Sequence, residues 1–153
     1  MGFSQTGNFS TLSAQIVATM QAIQQDGANA FAAVLPYPTV ESTNGFPLCT
    51  IVPSDSPSSY LTNIQNLRSY VFFCDAYYPI EDSYGGYENA FTNMLSLVES
   101  MLDAVDNSNG FNGTSQITVP SVGSWSMTQS SVGTLLDGRI TVTCKVSVST
   151  DNG

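Results

Sequence analysis

Chemistry in a polypeptide needs side chains that move protons, attack bonds or hold metals, and this sequence is short of them. It has no histidine, three cysteines, twelve acids and three cations, Arg68, Arg139 and Lys145. Without histidine, the commonest general base and metal ligand is missing. Cys49, Cys74 and Cys144 are far apart, odd in number and each set in an apolar run. They read as buried reduced thiols rather than a zinc site or a disulfide framework. No GxSxG pattern surrounds a serine, so the usual nucleophile turn is missing. "SYGGYENA" sets Gly-Gly ahead of a helical stretch but without a following lysine, which makes a helix-start turn and not a phosphate loop. Two carboxylate pairs are left: Glu81 and Asp82, adjacent in a loop, and Glu99 and Asp103, four apart on one helix face. Such pairs can do acid–base work or hold Ca²⁺, yet their ordinary role is solvated surface. These residues lead us to expect no enzyme, no metal site and no cofactor.

Two of the three cations share one stretch, "GRITVTCKVSVS", Gly138–Ser149. Ile140, Val142, Cys144, Val146 and Val148 alternate with Arg139, Thr141, Thr143, Lys145 and Ser147. A period of two marks a strand with one face in a core. The other face is too polar for a core, and what it meets is the main question the sequence raises.

The chain has 153 residues, which suits one domain, 1–153, able to bury about two-thirds of the surface it exposes when unfolded. Residues 1–9 and 150–153 are expected to be flexible tails. The hydrophobic fraction is 42% but charged residues are only 10%, with a net charge of −9. Ser, Thr, Asn and Gln must therefore carry solubility. Such a balance repels phosphates, so nucleic-acid binding and an anionic membrane surface are both disfavoured. The start, MGFSQTGNFS, lacks a basic segment followed by an apolar one, so no signal peptide is expected. No window reaches the ~18 apolar residues of a membrane-spanning helix. "NFS" and "NGT" match the glycosylation pattern only by chance on this reading. The chain is expected to be made in a cytoplasm.

Along the chain, "FSTLSAQIVATMQAIQQDG" predicts a helix capped by Ser10 and stopped at Asp26-Gly27, with Leu12, Ile16, Met20 and Ile23 on its apolar stripe. "AFAAVLP" predicts a short strand, and "PYPTVESTNGFP" a turn-rich connector. "PLCTIVP", Pro47 to Pro53, predicts a proline-bounded strand. A Ser-rich loop, 54–65, is expected to be exposed. "NLRSYVFFCDAYYP" predicts the central strand, Leu67, Val71 and Phe73 on one face and Arg68, Tyr70, Phe72 and Cys74 on the other. Tyr87 to Val105 predicts a long amphipathic helix with Phe91, Leu95, Val98, Leu102 and Val105 in its stripe, flanked by Met94 and Met101. "QITVP", "SWSMTQSS" and the opening stretch predict three further strands, the last after a turn at Asp137-Gly138.

The fold class expected is α+β: a mixed, mainly antiparallel sheet of five to six strands with two helices packed on it, in the order α-β-β-β-α-β-β-β. Two helices cannot cover both faces of such a sheet, so the far face meets solvent or another chain. Tyr37, Tyr60, Tyr77, Tyr78, Tyr84 and Tyr87 add a density of tyrosine typical of protein–protein interfaces. A lysine-poor surface also loses less side-chain entropy on burial.

This layout resembles the tail terminator, or tail completion, proteins of long-tailed bacteriophages. It is carried by the N-terminal helix, the Pro-led strand "FPLCTI", the Arg-led strand "LRSYVFFCDAYY", the helix "YENAFTNMLSLVESMLDAV" and the closing strand "RITVTCKVSV". The likeness runs from about Leu12 to Ser149 and is one of layout and strand texture, since the family has no invariant short signature. The resemblance implies a hexameric ring that caps the tail tube, halts its polymerisation and offers the surface to which the neck attaches. It implies no catalysis and no cofactor, with DNA passing through the lumen, a place at the tail–neck junction of the virion, and no membrane. Its partners would be copies of itself, the tube protein and a neck or connector protein. Arg68 and Arg139 match positions where family strands carry a basic residue and would lie near subunit contacts. Arg139 and Lys145 would there meet acids such as Asp75 or Glu81 of another copy. The chain departs from the family in its few charges and its longer Ser-rich loop. Alternatives are a neck or head–tail joining protein or a tube-like subunit, and, in another class, a monomeric small-ligand module lined by Tyr70, Phe72 and the methionines of the second helix.

Overall fold

A computed structural model describes residues 9–25, 27–42, 44–54, 67–80, 86–108, 110–111 and 117–147. The elements are α1 (Phe9–Gln21), β1 (Gln24–Gln25), β2 (Ala28–Asn29), β3 (Ala33–Leu35), β4 (Leu48–Pro53), β5 (Leu67–Pro79), α2 (Gly86–Asp106), β6 (Ile117–Ser130) and β7 (Gly133–Ser147). The protein is thus α+β, with a five-stranded sheet ordered β3-β4-β5-β7-β6 and a small β1-β2 ribbon. β3 pairs with β4 in parallel and all other pairs are antiparallel. β5 is central, as its two apolar faces predict.

Both helices pack on one face. Leu12, Ile16 and Met20 of α1 and Met94, Leu97, Val98, Met101 and Val105 of α2 close over Cys49, Ile51, Phe72, Cys74, Ile140, Val142 and Cys144. Each fully buried large side chain there contributes about 1.5–3 kcal/mol. The three thiols are buried and are not joined in a disulfide. Burial pushes those of Cys49 and Cys74 well above the ordinary range, with neighbouring thiols and Asp75 adding to it, so they act as small hydrophobes.

Several boundaries differ from the sequence reading. α1 starts at Phe9 and ends at Gln21, so Ser10 lies within its first turn, and Asp26-Gly27 does not supply the stop. The chain turns off earlier because Ile23 folds back into the core, its carbonyl accepting from the Ala30 N–H at 2.9 Å. The α2 stripe is rotated from the one expected: Leu95 is exposed and Phe91 and Leu102 are half-buried, while Met94 and Met101 are fully buried.

Among the described residues the C-terminal third holds two long strands where three were expected. β6 runs through Gly123 with a bulge between Val122 and Ser124, which bends a strand without ending it. The hairpin turn is at Ser131-Val132, before Gly133 at φ +119°, a conformation glycine adopts at little cost. Asp137-Gly138 lies inside β7. Gly138 is there for space: a Cβ on it would stand 3.0 Å from both Met94 Sδ and Val98 Cγ2 and 3.1 Å from Trp125 Cζ3. This glycine sets how closely α2 approaches the sheet.

Parallel strands need a crossover, and the connector 36–47 makes it on the face opposite the helices. There Val40 and Phe46 pack on a second small cluster, Ala33, Leu48, Tyr77 and Leu135. The same connector reaches the hairpin tip, where the Glu41 carboxylate accepts the Ser131 N–H at 3.0 Å and the Ser131 hydroxyl.

Candidate interaction surface

The register decides what faces away from the helices. Alternation sets Thr50, Val52, Val71, Phe73, Asp75 and Tyr77 on this far face with Leu135, Asp137, Arg139, Thr141, Thr143 and Lys145 of β7. The connector closes one end. Beyond it Val52, Val71, Phe73, Thr141 and Thr143 are half-buried and Val119 is exposed, with no described helix on them.

At the boundary between closed and open ends stands a polar cluster. Asp75 and Arg139 are direct cross-strand partners. Arg139 donates from Nε to Asp75 Oδ1 at 2.7 Å and from Nη2 to Oδ2 at 3.0 Å. This two-pronged geometry is the strong form of the pair. The Asp75 side chain is 8% exposed and that of Arg139 35%, so the carboxylate is the member that suffers if the pair is broken. The Arg139 guanidinium also lies 4.2 Å from the Phe73 ring centre, a cation–π contact. Its hydrogen bonds to Asp75 raise its pKa further, more than burial lowers it.

The Tyr77 hydroxyl donates to Asp75 Oδ2 at 3.3 Å, and the Thr50 side chain also hydrogen-bonds that phenol. Burial first, then Asp137 and Asp75, hold the Tyr77 phenol well above its usual range. Asp137 sits opposite Tyr77 in the register. Its buried Oδ1 accepts no hydrogen bond among the described residues. Burial, with the Asp75 charge adding and Arg139 opposing, pushes its carboxyl up to about 6.

Of the expected site residues, the structure brings Arg139 and Asp75 together within one chain. The expectation had given Arg139 a carboxylate of another copy; the cross-strand register supplies its own. Lys145 is on the same face, opposite Ser69 and Ile117, about 20 Å from Arg139 along β7 at ~3.3 Å per residue. Arg68 lies in β5 opposite Val146, its side chain outside the described residues, as are Glu81 and Asp82. Glu99 and Asp103 are both exposed on α2. Tyr37 and Tyr87 are exposed, whereas Tyr77 is buried by the connector; Tyr60 and Tyr84 are outside the described residues. Tyr70 and Phe72 are core. The alternative reading had them line a ligand pocket; they pack instead with residues of both helices.

The sequence reading missed Asp137, Tyr77 and Thr50 as partners, because only register joins them. It also missed an aromatic group beside β6. Phe91 stacks on Tyr87 at 6.2 Å and meets Trp125 edge-on at 6.0 Å. A cleft of about 230 Å³ lies among these rings, Met94 and Met127. The one signal for it was the chain's lone tryptophan, set between serines in β6. Among the described residues no group of three or more potential metal ligands is found, and no described helix is long and apolar enough to cross a membrane. No family model matches the chain, and no curated protein matches it.

Proposed function

We propose that this chain is a structural virion protein that assembles into a hexameric ring on the tip of a phage tail tube. The ring stops tube polymerisation and presents the surface to which the neck attaches. On this reading it does no catalysis and needs no cofactor, and it acts at the tail–neck junction. The observation that carries it is the one-sided sheet: both helices cover one face, while the other keeps a half-buried neutral surface of Val52, Val71, Phe73, Thr141 and Thr143. A sheet face of that kind is suited to a neighbouring subunit. The Arg139–Asp75 pair supports the reading in a modified form, as a fixed polar edge to the contact and not as a bond between copies. The charge of −9 per copy lets DNA pass through a lumen without adhering, since phosphates are repelled.

The test is negative-stain imaging of the purified chain, alone and mixed with tail tubes lacking their terminator. Rings of fixed size, or caps on tube ends that arrest further growth, are expected. Open-ended tubes made of this chain would instead identify a tube subunit, and docking only on portal complexes a head–tail joining protein. A chain that neither forms rings nor binds tube ends would overturn the proposal.

A further inference from the structure

The two edges of the main sheet have one property in common. β6 forms one edge, and its fourteen residues, Ile117–Ser130, include no ionisable side chain. An edge strand turns every second N–H and C=O outward, and proteins usually guard such edges with lysine, proline or a bulge. Here Pro120 and the Val122/Ser124 bulge guard only the first half. Ser124–Ser130 is left with neither charge nor proline, and its Trp125 and Met127, which line the cleft beside α2, stay 42% and 55% exposed.

β3 forms the other edge and, among the described residues, pairs with β4 alone. A groove of about 500 Å³ runs beside it, lined by Gln21, Asn29, Phe31, Ala32, Val34 and Asn44 among others, none of them ionisable. A trough of this kind, bordered by a strand with an open side, fits another strand better than it fits a compact ligand.

We infer that Ser124–Ser130 of β6 seats in the β3 groove of a second copy of this chain, adding head to tail so that one sheet continues into the next. Charge decides the occupant. Each chain carries −9, so two copies can approach closely only through surfaces free of carboxylates. Neither Ser124–Ser130 nor the groove lining includes a carboxylate, although Glu41 is tied to Ser131 just beyond the segment and half-buried Asp137 lies opposite Ser126. A basic partner would be drawn elsewhere, to the outer side of α2, where Glu88, Glu99, Asp103 and Asp106 are all exposed and no cation is near them in the helix. Because the two edges differ, the contact is heterologous, and repeating it closes a ring or grows a filament. The inference rests on the chain's associating with itself, as the ring reading has it, and assigns that association to particular strands.

The experiment uses the full-length chain and two single variants, Met127→Lys on the edge and Ala32→Arg in the groove. Both positions are exposed, and both changes lower the net negative charge, so any loss of association is local and not a general repulsion. Circular dichroism and a thermal melt establish that each variant is folded. Light scattering on a sizing column then reads mass. The wild type is expected to be oligomeric, and each variant alone to weaken association at least about tenfold. Mixed in equal amounts, the two variants are expected to give a species of twice the 16.3 kDa chain mass, because each retains the half the other has lost. The inference is overturned if either variant keeps the wild-type mass, if the mixture stays monomeric, or if Ala32→Arg alone forms a dimer through β6. It is overturned equally by a wild type that is monomeric at every concentration. A wild-type ring that neither variant disturbs would sink the strand assignment and leave the ring reading standing.

Discussion

Phe72 and Phe73 are neighbours in one strand and live in different worlds. Phe72 is fully buried beneath the helices, whereas Phe73 is half-buried on the far face beside the Arg139 guanidinium. The helix face is a continuous apolar core, closed by its own chain. The far face is divided: a small cluster under the connector, a polar group at Asp75, then an open surface. The difference teaches that most of the sheet's apolar burial lies on one side, while the other combines a small cluster, an ion pair and open surface.

The comparison is broken most forcefully by truncating each ring. Phe72→Ala is expected to cost about 3–5 kcal/mol, read from chemical denaturation, while Phe73→Ala should cost about 1 kcal/mol, mostly its contact with Arg139. Equal losses would mean that the far face is as closed as the core. Next comes the polar group. Arg139→Ala leaves the Asp75 carboxylate buried without its partner and should cost about 2–4 kcal/mol. Asp75→Asn with Arg139→Ala together should cost less than the sum, a coupling that a double-mutant cycle measures.

Asp137 gives a smaller effect with a defined sign. Burial pushes its folded carboxyl up to about 6, above the ordinary carboxylate range, so the folded state binds a proton more readily than the unfolded one. Its penalty is fully present above about pH 6 and is relieved as pH falls from there toward 4. The wild type should therefore gain stability between pH 7 and pH 5, and Asp137→Asn should flatten that gain. Solvent screening of this partly exposed group limits the effect to about 1 kcal/mol. The smallest change is at the hairpin tip: Glu41→Gln is expected to cost about 0.5 kcal/mol and to speed amide exchange at Ser131 more than elsewhere.

The parts legible in the sequence were those with a strong period. β7 alternates from Arg139 to Val146 and α2 repeats every three to four residues. α2 was therefore placed within a residue, while β7 was recognised as a strand but begins at Gly133, five residues before the expected start. What failed was the reading of glycine. Asp137-Gly138 has the composition of a turn, but a glycine also marks a close approach, and only the packing of Met94, Val98 and Trp125 tells the two apart. Gly123 raised the same question in β6, where a bulge took the place of a break. The Arg139–Asp75 pair was half legible: both residues were singled out, yet pairing them within one chain requires knowing that β5 and β7 are adjacent and in which register. The connector was read only as turn-rich because its prolines and Asn-Gly hide the two side chains, Val40 and Phe46, that do its packing.

The clasp between Glu41 and Ser131 joins positions ninety residues apart. A tie across so long a span carries a loop-closure cost and holds only while the strands between are in place. It therefore works as a gauge: the tip comes loose when the outer strand shifts, and protease sensitivity at Ser131-Val132 would report, from outside the sheet, whether β6 is seated.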